Sequence, residues 1–167
     1  WVLAEIIEAR TGEDFRAYVT ENVLARAGVT DFVLGLPEER HAEVADVRWM
    51  GEPVPPPGGW GEVTPEAVLA VNTVSARSVG IPGGGGIGTA RGLALFYQPL
   101  ANGGLAANGN RILKRETIDW ATEVRTGPQH RDLLTGIPTN RGLSVVIAGS
   151  DGLKVSRGFG ASCSPRA

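Results

Sequence analysis

One cysteine, Cys163, and two histidines, His41 and His130, are the only thiol and imidazole groups of the sequence. A lone thiol closes no intrachain disulfide, and it leaves the compartment open, with the cytoplasm slightly favoured. The two histidines lie far apart and Cys163 has no partner at the spacing zinc sites use, so no metal or other cofactor is expected. Both histidines sit among charged residues (Glu38, Glu39 and Arg40; Arg131 and Asp132), which predicts solvated surface positions. Basic runs are missing as well. The 16 basic residues are outnumbered by 18 acidic ones, and no basic run is longer than two. That argues against nucleic acid or an anionic membrane as the main partner. No apolar stretch approaches the roughly 18 residues a membrane-spanning helix needs.

Glycine and proline are plentiful, at 24 and 11 of 167 residues. With a normal apolar fraction this implies many turns, not disorder. The first residues, WVLAEIIEAR, already carry an apolar helical face (Trp1, Val2, Leu3, Ile6, Ile7), stopped by Thr11-Gly12. Glu13 to Ala27 repeats the pattern with Phe15, Tyr18, Val19, Val23 and Leu24, and ends at Gly28. Asp31 to Leu36 reads as a short extended piece, and Arg40 to Trp49 as a weak strand. In Gly51 to Trp60, residues Pro53, Pro55, Pro56, Pro57 and Gly58 predict a surface loop, pinned by Trp60. Thr64-Pro65-Glu66 is a strong helix start, with an N-cap, a proline at the first position and an acid at the positive dipole end. That helix, carrying Val68, Leu69 and Val71, is expected to fade by Ser75.

The centre of the chain is Ile81 to Leu100, IPGGGGIGTARGLALFYQPL. Gly83 to Gly86 leave bare backbone. Thr89 is placed to cap a helix carrying Leu93, Leu95, Phe96, Tyr97 and Leu100, which Asn102-Gly103-Gly104 ends. Beyond it, Asn108-Gly109 marks a turn, and Arg115 to Val124 a helix broken by Gly127-Pro128. Asp132 to Leu134 and Leu143 to Ala148 are strand candidates, with Ser150-Asp151-Gly152 turning into Leu153 to Ser156.

Four binding or catalytic patterns fail on inspection. Gly83, Gly85 and Gly88 match the dinucleotide fingerprint formally, but no buried strand precedes them and the next acid is Glu116. No Gly-Lys-Ser/Thr follows, so the loop is not a P-loop. Ser150 lacks the helix that a nucleophile elbow requires directly after the serine, so a plain hairpin is expected. Cys163 has no evident base and reads as an inert thiol.

The order of segments is an apolar helix WVLAEIIEARTG, then DFRAYVTENVLARAGVTDFVLGLP, a Pro-rich loop, IPGGGGIGTARGLALFYQPLANGG and RILKRETIDWAT. It resembles the middle of the serine β-lactamase-like hydrolases, the group of class C β-lactamases, D-alanyl-D-alanine carboxypeptidases and related esterases. Gly88-Thr89-Ala90-Arg91 with Leu93-Ala94-Leu95-Phe96-Tyr97 carries it most specifically. The resemblance implies an α+β chain, a fragment of the β-lactamase/transpeptidase-like fold, mostly the helical subdomain plus a few strands of the antiparallel sheet. It implies that residues 1–167 are a single partial domain. It also implies acyl transfer to a serine, from ester, amide or β-lactam substrates.

In that family a Ser-x-x-Lys pair, a Tyr and a Lys/His-Ser/Thr-Gly strand edge do the chemistry. None occurs here: no serine has Lys three residues on, and Tyr18 and Tyr97 are not followed by x-Asn. The resemblance sets the first two upstream of Trp1 and the last downstream of Ala167, leaving no catalytic residue within the chain. It makes Pro82, Gly83, Gly84, Gly85 and Ile87 the substrate-binding candidates, as a wall of the pocket. Where class C β-lactamases carry an aromatic in this loop, Gly84 stands here, which implies a more open, esterase-like pocket. The alternative reading of the glycines is that they serve only to permit a tight turn. A non-catalytic binding homologue of the fold and a small complete α+β domain of unknown role are the other readings.

Overall fold

A computed structural model describes residues 1–55, 59, 64–127, 129–131, 138–143, 145–147 and 159–160. The chain divides into two units, Trp1–Arg48 with Val68–Lys114, and Trp49–Ala67 with Arg115–Ala167.

In the first unit, α1 (Val2–Thr11) ends at Gly12 as its composition predicts. Its apolar face is largely uncovered: Trp1, Val2, Leu3 and Ile6 are exposed and only Ala4 is buried. Asp14 caps α2 (Phe15–Val19), accepting from the backbone N–H groups of Arg16 at 2.9 Å and Ala17 at 3.3 Å. The helix then widens into π-helical turns over Thr20–Ala25, with Val29 N–H reaching back to Leu24 O at 2.9 Å. Leu24, 1% exposed, is the centre of a core with Ala27, Val29 and Ala106; Val19, Phe32, Leu95, Phe96 and Ile112 pack around it. Phe32 and Phe96 stack with centroids 6.1 Å apart.

The Asp14 cap is also an ion pair, with Arg16 Nη2 2.6 Å from Oδ2. Its side-chain hydrogen bond with Arg16, aided by the two capping N–H groups, lowers the carboxyl from its usual 3.8 to about 2. A folded value below the unfolded one means the cap stabilises fully above the unfolded pKa and loses its effect as pH falls through the folded one. Both side chains are about two-fifths exposed (41% and 42%), so solvent screening holds the contribution to about 1 kcal/mol or less. Asp14→Asn is therefore expected to lie slightly below the parent in urea-unfolding stability at about pH 5, with the gap closing toward about pH 2.

Strand β1 (Phe32–Leu34) occupies the predicted extended piece. The weak strand expected over Arg40 to Trp49 is absent; Glu38–Glu43 forms a 3₁₀ helix instead. Pro37 starts it at φ −56°, and Arg40 closes it on Glu43 three residues later, Nη2 to Oε2 at 2.8 Å. The period is therefore three, not two. Thr64 caps α3 (Pro65–Leu69) as predicted, accepting from Ala67 N–H at 3.1 Å. After a 3₁₀ turn over Ala70–Asn72 this helix has ended before Ser75, as expected, but a further helix follows at once. Thr73 caps a fresh helix, α4 (Val74–Val79), by accepting from Ala76 N–H at 3.2 Å.

Gly86–Gly88 forms β2, antiparallel to β1 with Phe32 opposite Gly88, Val33 opposite Ile87 and Leu34 opposite Gly86. Glycine is a poor strand former, yet it is required here. A Cβ on Gly86 would come 2.5 Å from the Phe32 ring, and one on Gly88 2.6 Å from the same side chain. Helix α5 (Ala90–Ala101) follows, capped by Thr89 as expected.

In the second unit, α6 (Arg115–Ala121) buries Ile118 and stops short of the expected Val124. Beyond it Arg125 lies over the Trp120 ring at 4.5 Å. Strands β3 (Asn140–Arg141), β4 (Val146–Ile147) and β5 (Phe159–Gly160) make an antiparallel sheet in the order β3-β4-β5. β4 lies inside the predicted Leu143 to Ala148 strand, and β3 had no strand-like signal. Backbone bonds from Leu143 N–H to Ala121 O (2.7 Å) and from Arg125 N–H to Arg141 O (2.8 Å) tie the sheet to the end of α6. The expectations for Trp60, Asp132 to Leu134, Ser150-Asp151-Gly152, Leu153 to Ser156 and Cys163 lie outside the described residues.

Candidate functional site

The glycine loop, Ile81 to Gly88, runs between α4 and α5, and its two ends are fixed differently. At the entry, Gly80 ends α4 at φ +67°. Its backbone approaches β1 so closely that a Cβ would overlap the Gly35 amide and come 2.6 Å from Leu34 C. Leu36 N–H donates to Arg77 O at 2.8 Å and locks the same corner. At the exit, Thr89 N–H donates to Asp31 O at 3.0 Å, while its hydroxyl accepts from Gly92 N–H at 3.0 Å. Thr89 Oγ1 also bonds the Asp31 carboxylate.

Between these ends the five candidates fall into two kinds. Ile81 O accepts from Gly84 N–H at 3.2 Å and Gly85 N–H at 2.7 Å, closing a turn. A Cβ on Gly85 would overlap the Ile81 amide, so glycine there serves the turn. Ile87 is half-buried and sits in β2, opposite Val33. Pro82 is half-buried and is the first residue inside the turn. Gly83 and Gly84 differ from all of these. Both are exposed, neither has a positive φ, and a Cβ on either would meet nothing within 4 Å. Neither backbone conformation nor packing among the described residues demands glycine at these two positions. They form an uncharged apex of bare main chain, with Asp31 and Arg91 the charges at its exit.

His41 departs from expectation. It is 9% exposed, and its Nε2 lies 2.8 Å from Leu36 O and 3.5 Å from Ser78 Oγ. The 3₁₀ helix turns it inward while Arg40 and Glu43 stay exposed, so its charged neighbours misled the reading. Its hydrogen bond braces the corner where Gly80 meets β1. His130 is exposed, as expected. Among the described residues no group of His, Cys, Asp and Glu is arranged to hold a metal, and no helix is long and apolar enough to cross a membrane. Asp31 is the residue that sequence reasoning missed. Thr89 was legible as a cap, but its partner lies 58 residues away, with no local signal joining them.

A family match and structural superpositions place this helical scaffold with short antiparallel strands in the β-lactamase/transpeptidase-like fold. The family model described as Beta-lactamase matches residues 1–163, and the chain belongs to that family of serine hydrolases. A penicillin-binding protein homologue from Caulobacter crescentus superposes with a TM-score of 0.73 at 24% identity, over 95% of this chain and 43% of its own. A family VIII carboxylesterase gives 0.75 at 23% identity, over 96% and 44%. EstA from Arthrobacter nitroguajacolicus Rue61a gives 0.63 at 22%, over 95% and 47%. The chain thus spans less than half the length of these structural relatives. No curated protein matches the sequence.

Proposed function

We propose that this chain is the middle part of a serine hydrolase that acts through an acyl-enzyme on ester or amide substrates, β-lactams and peptides included. Its contribution is a wall of the substrate pocket. The observation that carries the wall is the Gly83-Gly84 apex, exposed and free of any folding demand for glycine in a chain of this family. Acyl transfer needs an activated hydroxyl, a base, and N–H donors aimed at the developing oxyanion. No Ser-x-x-Lys is present in residues 1–167, so these groups come from sequence outside the chain, and the reaction uses no cofactor. The uncovered apolar face of α1 supports the same reading, since a patch of Trp1, Val2, Leu3 and Ile6 is a surface that another segment would cover. The likeness to a carboxylesterase supports an ester as the first substrate to try.

Reading the coding sequence on both sides of this chain tests the proposal. Ser-x-x-Lys upstream and a Lys/His-Ser/Thr-Gly strand edge downstream are expected. Loss of the serine with the rest intact would instead make the protein a non-catalytic binder.

The wall itself makes a prediction. In the active protein, Gly84→Phe is expected to raise KM for a bulky-acyl ester on the order of tenfold while leaving a short-chain ester within about twofold. Because the new side chain enters open space, stability is expected to stay within about 0.5 kcal/mol. Steady-state kinetics on the two esters, with a melt of each variant, checks both halves.

A further inference from the structure

The glycine loop is clasped at both ends by one short strand. Gly80 abuts the C-terminal end of β1, and Asp31, the residue just before β1, takes the other end. Asp31 holds Thr89 twice, by its carbonyl from Thr89 N–H at 3.0 Å and by its carboxylate from the Thr89 hydroxyl. The same carbonyl fills the space beside Gly88 and Gly92, where a Cβ would come within 2.7 and 2.8 Å of it. The carboxylate is only 28% exposed, and Arg91 Nη1 stands 3.8 Å from Oδ1. That oxygen is buried and takes no hydrogen bond among the described residues.

Burying part of a carboxylate with one oxygen left without a hydrogen bond costs free energy, which the Arg91 guanidinium 3.8 Å away offsets only in part. Capping does not require it, because Thr89 alone already satisfies Gly92 N–H. What the carboxylate adds is orientation. By accepting the hydrogen bond of the Thr89 hydroxyl, it turns the oxygen lone pairs toward Gly92 and fixes the exit of the loop to β1. We propose that Asp31 is a positioning residue that sets the Gly83-Gly84 apex at a fixed place on the pocket rim. The proposal rests on the reading of that loop as a pocket wall. It predicts that the Asp31–Thr89 bond controls the order of the apex without touching substrate.

The test compares Asp31→Ala and Asp31→Asn in the whole protein, read by amide hydrogen exchange and by ester kinetics. In Asp31→Ala the amides of Gly85 and Thr89 are expected to exchange about tenfold faster, while that of Gly12, at the end of α1, stays unchanged. KM for a bulky ester is expected to rise about fivefold with kcat within about twofold. Asp31→Asn keeps an acceptor for the Thr89 hydroxyl and is expected to restore both readings. If Asp31→Ala does not fold, Thr89→Val, which removes both the bond to Asp31 and the cap on Gly92, is expected to accelerate Gly85 as well as Gly92. Acceleration at Gly92 alone would be loss of the cap and would overturn the assignment. Equal acceleration at Gly85 and Gly12, or unchanged exchange at Gly85 and Thr89, would overturn the assignment. Local acceleration in a protein that turns over no ester, amide or β-lactam would keep the clasp and overturn the hydrolase reading instead.

Discussion

Gly104→Ala is expected to lower the unfolding free energy by on the order of 3–4 kcal/mol, the sum of a strained backbone and an overpacked contact. Gly104 follows α5 at φ +93°, where L side chains are disfavoured, and it is buried. Its N–H donates to Pro99 O at 2.7 Å and its carbonyl accepts from Ile112 N–H at 2.8 Å, so the backbone is held on both sides. A Cβ would overlap the Leu113 carbonyl oxygen. Gly109 separates the two costs. It has φ +84° but nothing within 4 Å of a Cβ, so Gly109→Ala is expected to cost only about 1 kcal/mol. Urea unfolding of both variants reads the difference. Equal losses would mean that the close approach at Gly104 contributes nothing.

Leu24→Ala carries the second large effect. Leu24 is 1% exposed, with Ala27, Val29 and Ala106 as buried neighbours and the Phe32–Phe96 stack beside them. Ala27 and Ala106 have no side-chain length with which to fill the vacated space, so a cavity remains. The expected loss is about 2–5 kcal/mol. Leu24→Met, which nearly conserves volume, is expected to cost less than about 1.5 kcal/mol. Denaturant midpoints at unchanged slope check both values. The cluster spans residues from the π-helical turns through α5 to Ile112, so its loss is expected to loosen the scaffold that carries the glycine loop.

The features legible in the sequence were those decided within a few residues. Thr64 and Thr89 cap the helices they were expected to cap, because a hydroxyl three residues before an N–H needs no distant help. The stop at Gly12 and the extended piece at Phe32–Leu34 are equally local. Features set by tertiary contact were not legible. β2 is written in glycine because Phe32 needs the room, and a glycine run looks like a loop until the ring is placed. His41 sits in a charged string, yet the 3₁₀ turn sends it inward to Leu36 O. At the candidate site the sequence located the loop, whereas the division of labour within it came from geometry. Gly85 and Gly86 serve the turn and the Phe32 ring, while a Cβ on Gly83 or Gly84 would meet nothing within 4 Å. The Asp31–Thr89 clasp joins residues 58 positions apart, beyond any local pattern.

The most direct test of the hydrolase assignment is to find the acylated atom. The whole protein would be treated with a fluorophosphonate and, separately, with a labelled penicillin, digested, and its adducts mapped by mass spectrometry. The expected result is one adduct, on the serine of a Ser-x-x-Lys outside residues 1–167, with Ser75, Ser78 and Ser150 unmodified. An adduct on a serine within these 167 residues, in a protein that turns over esters, would contradict the assignment of this chain as pocket wall without nucleophile.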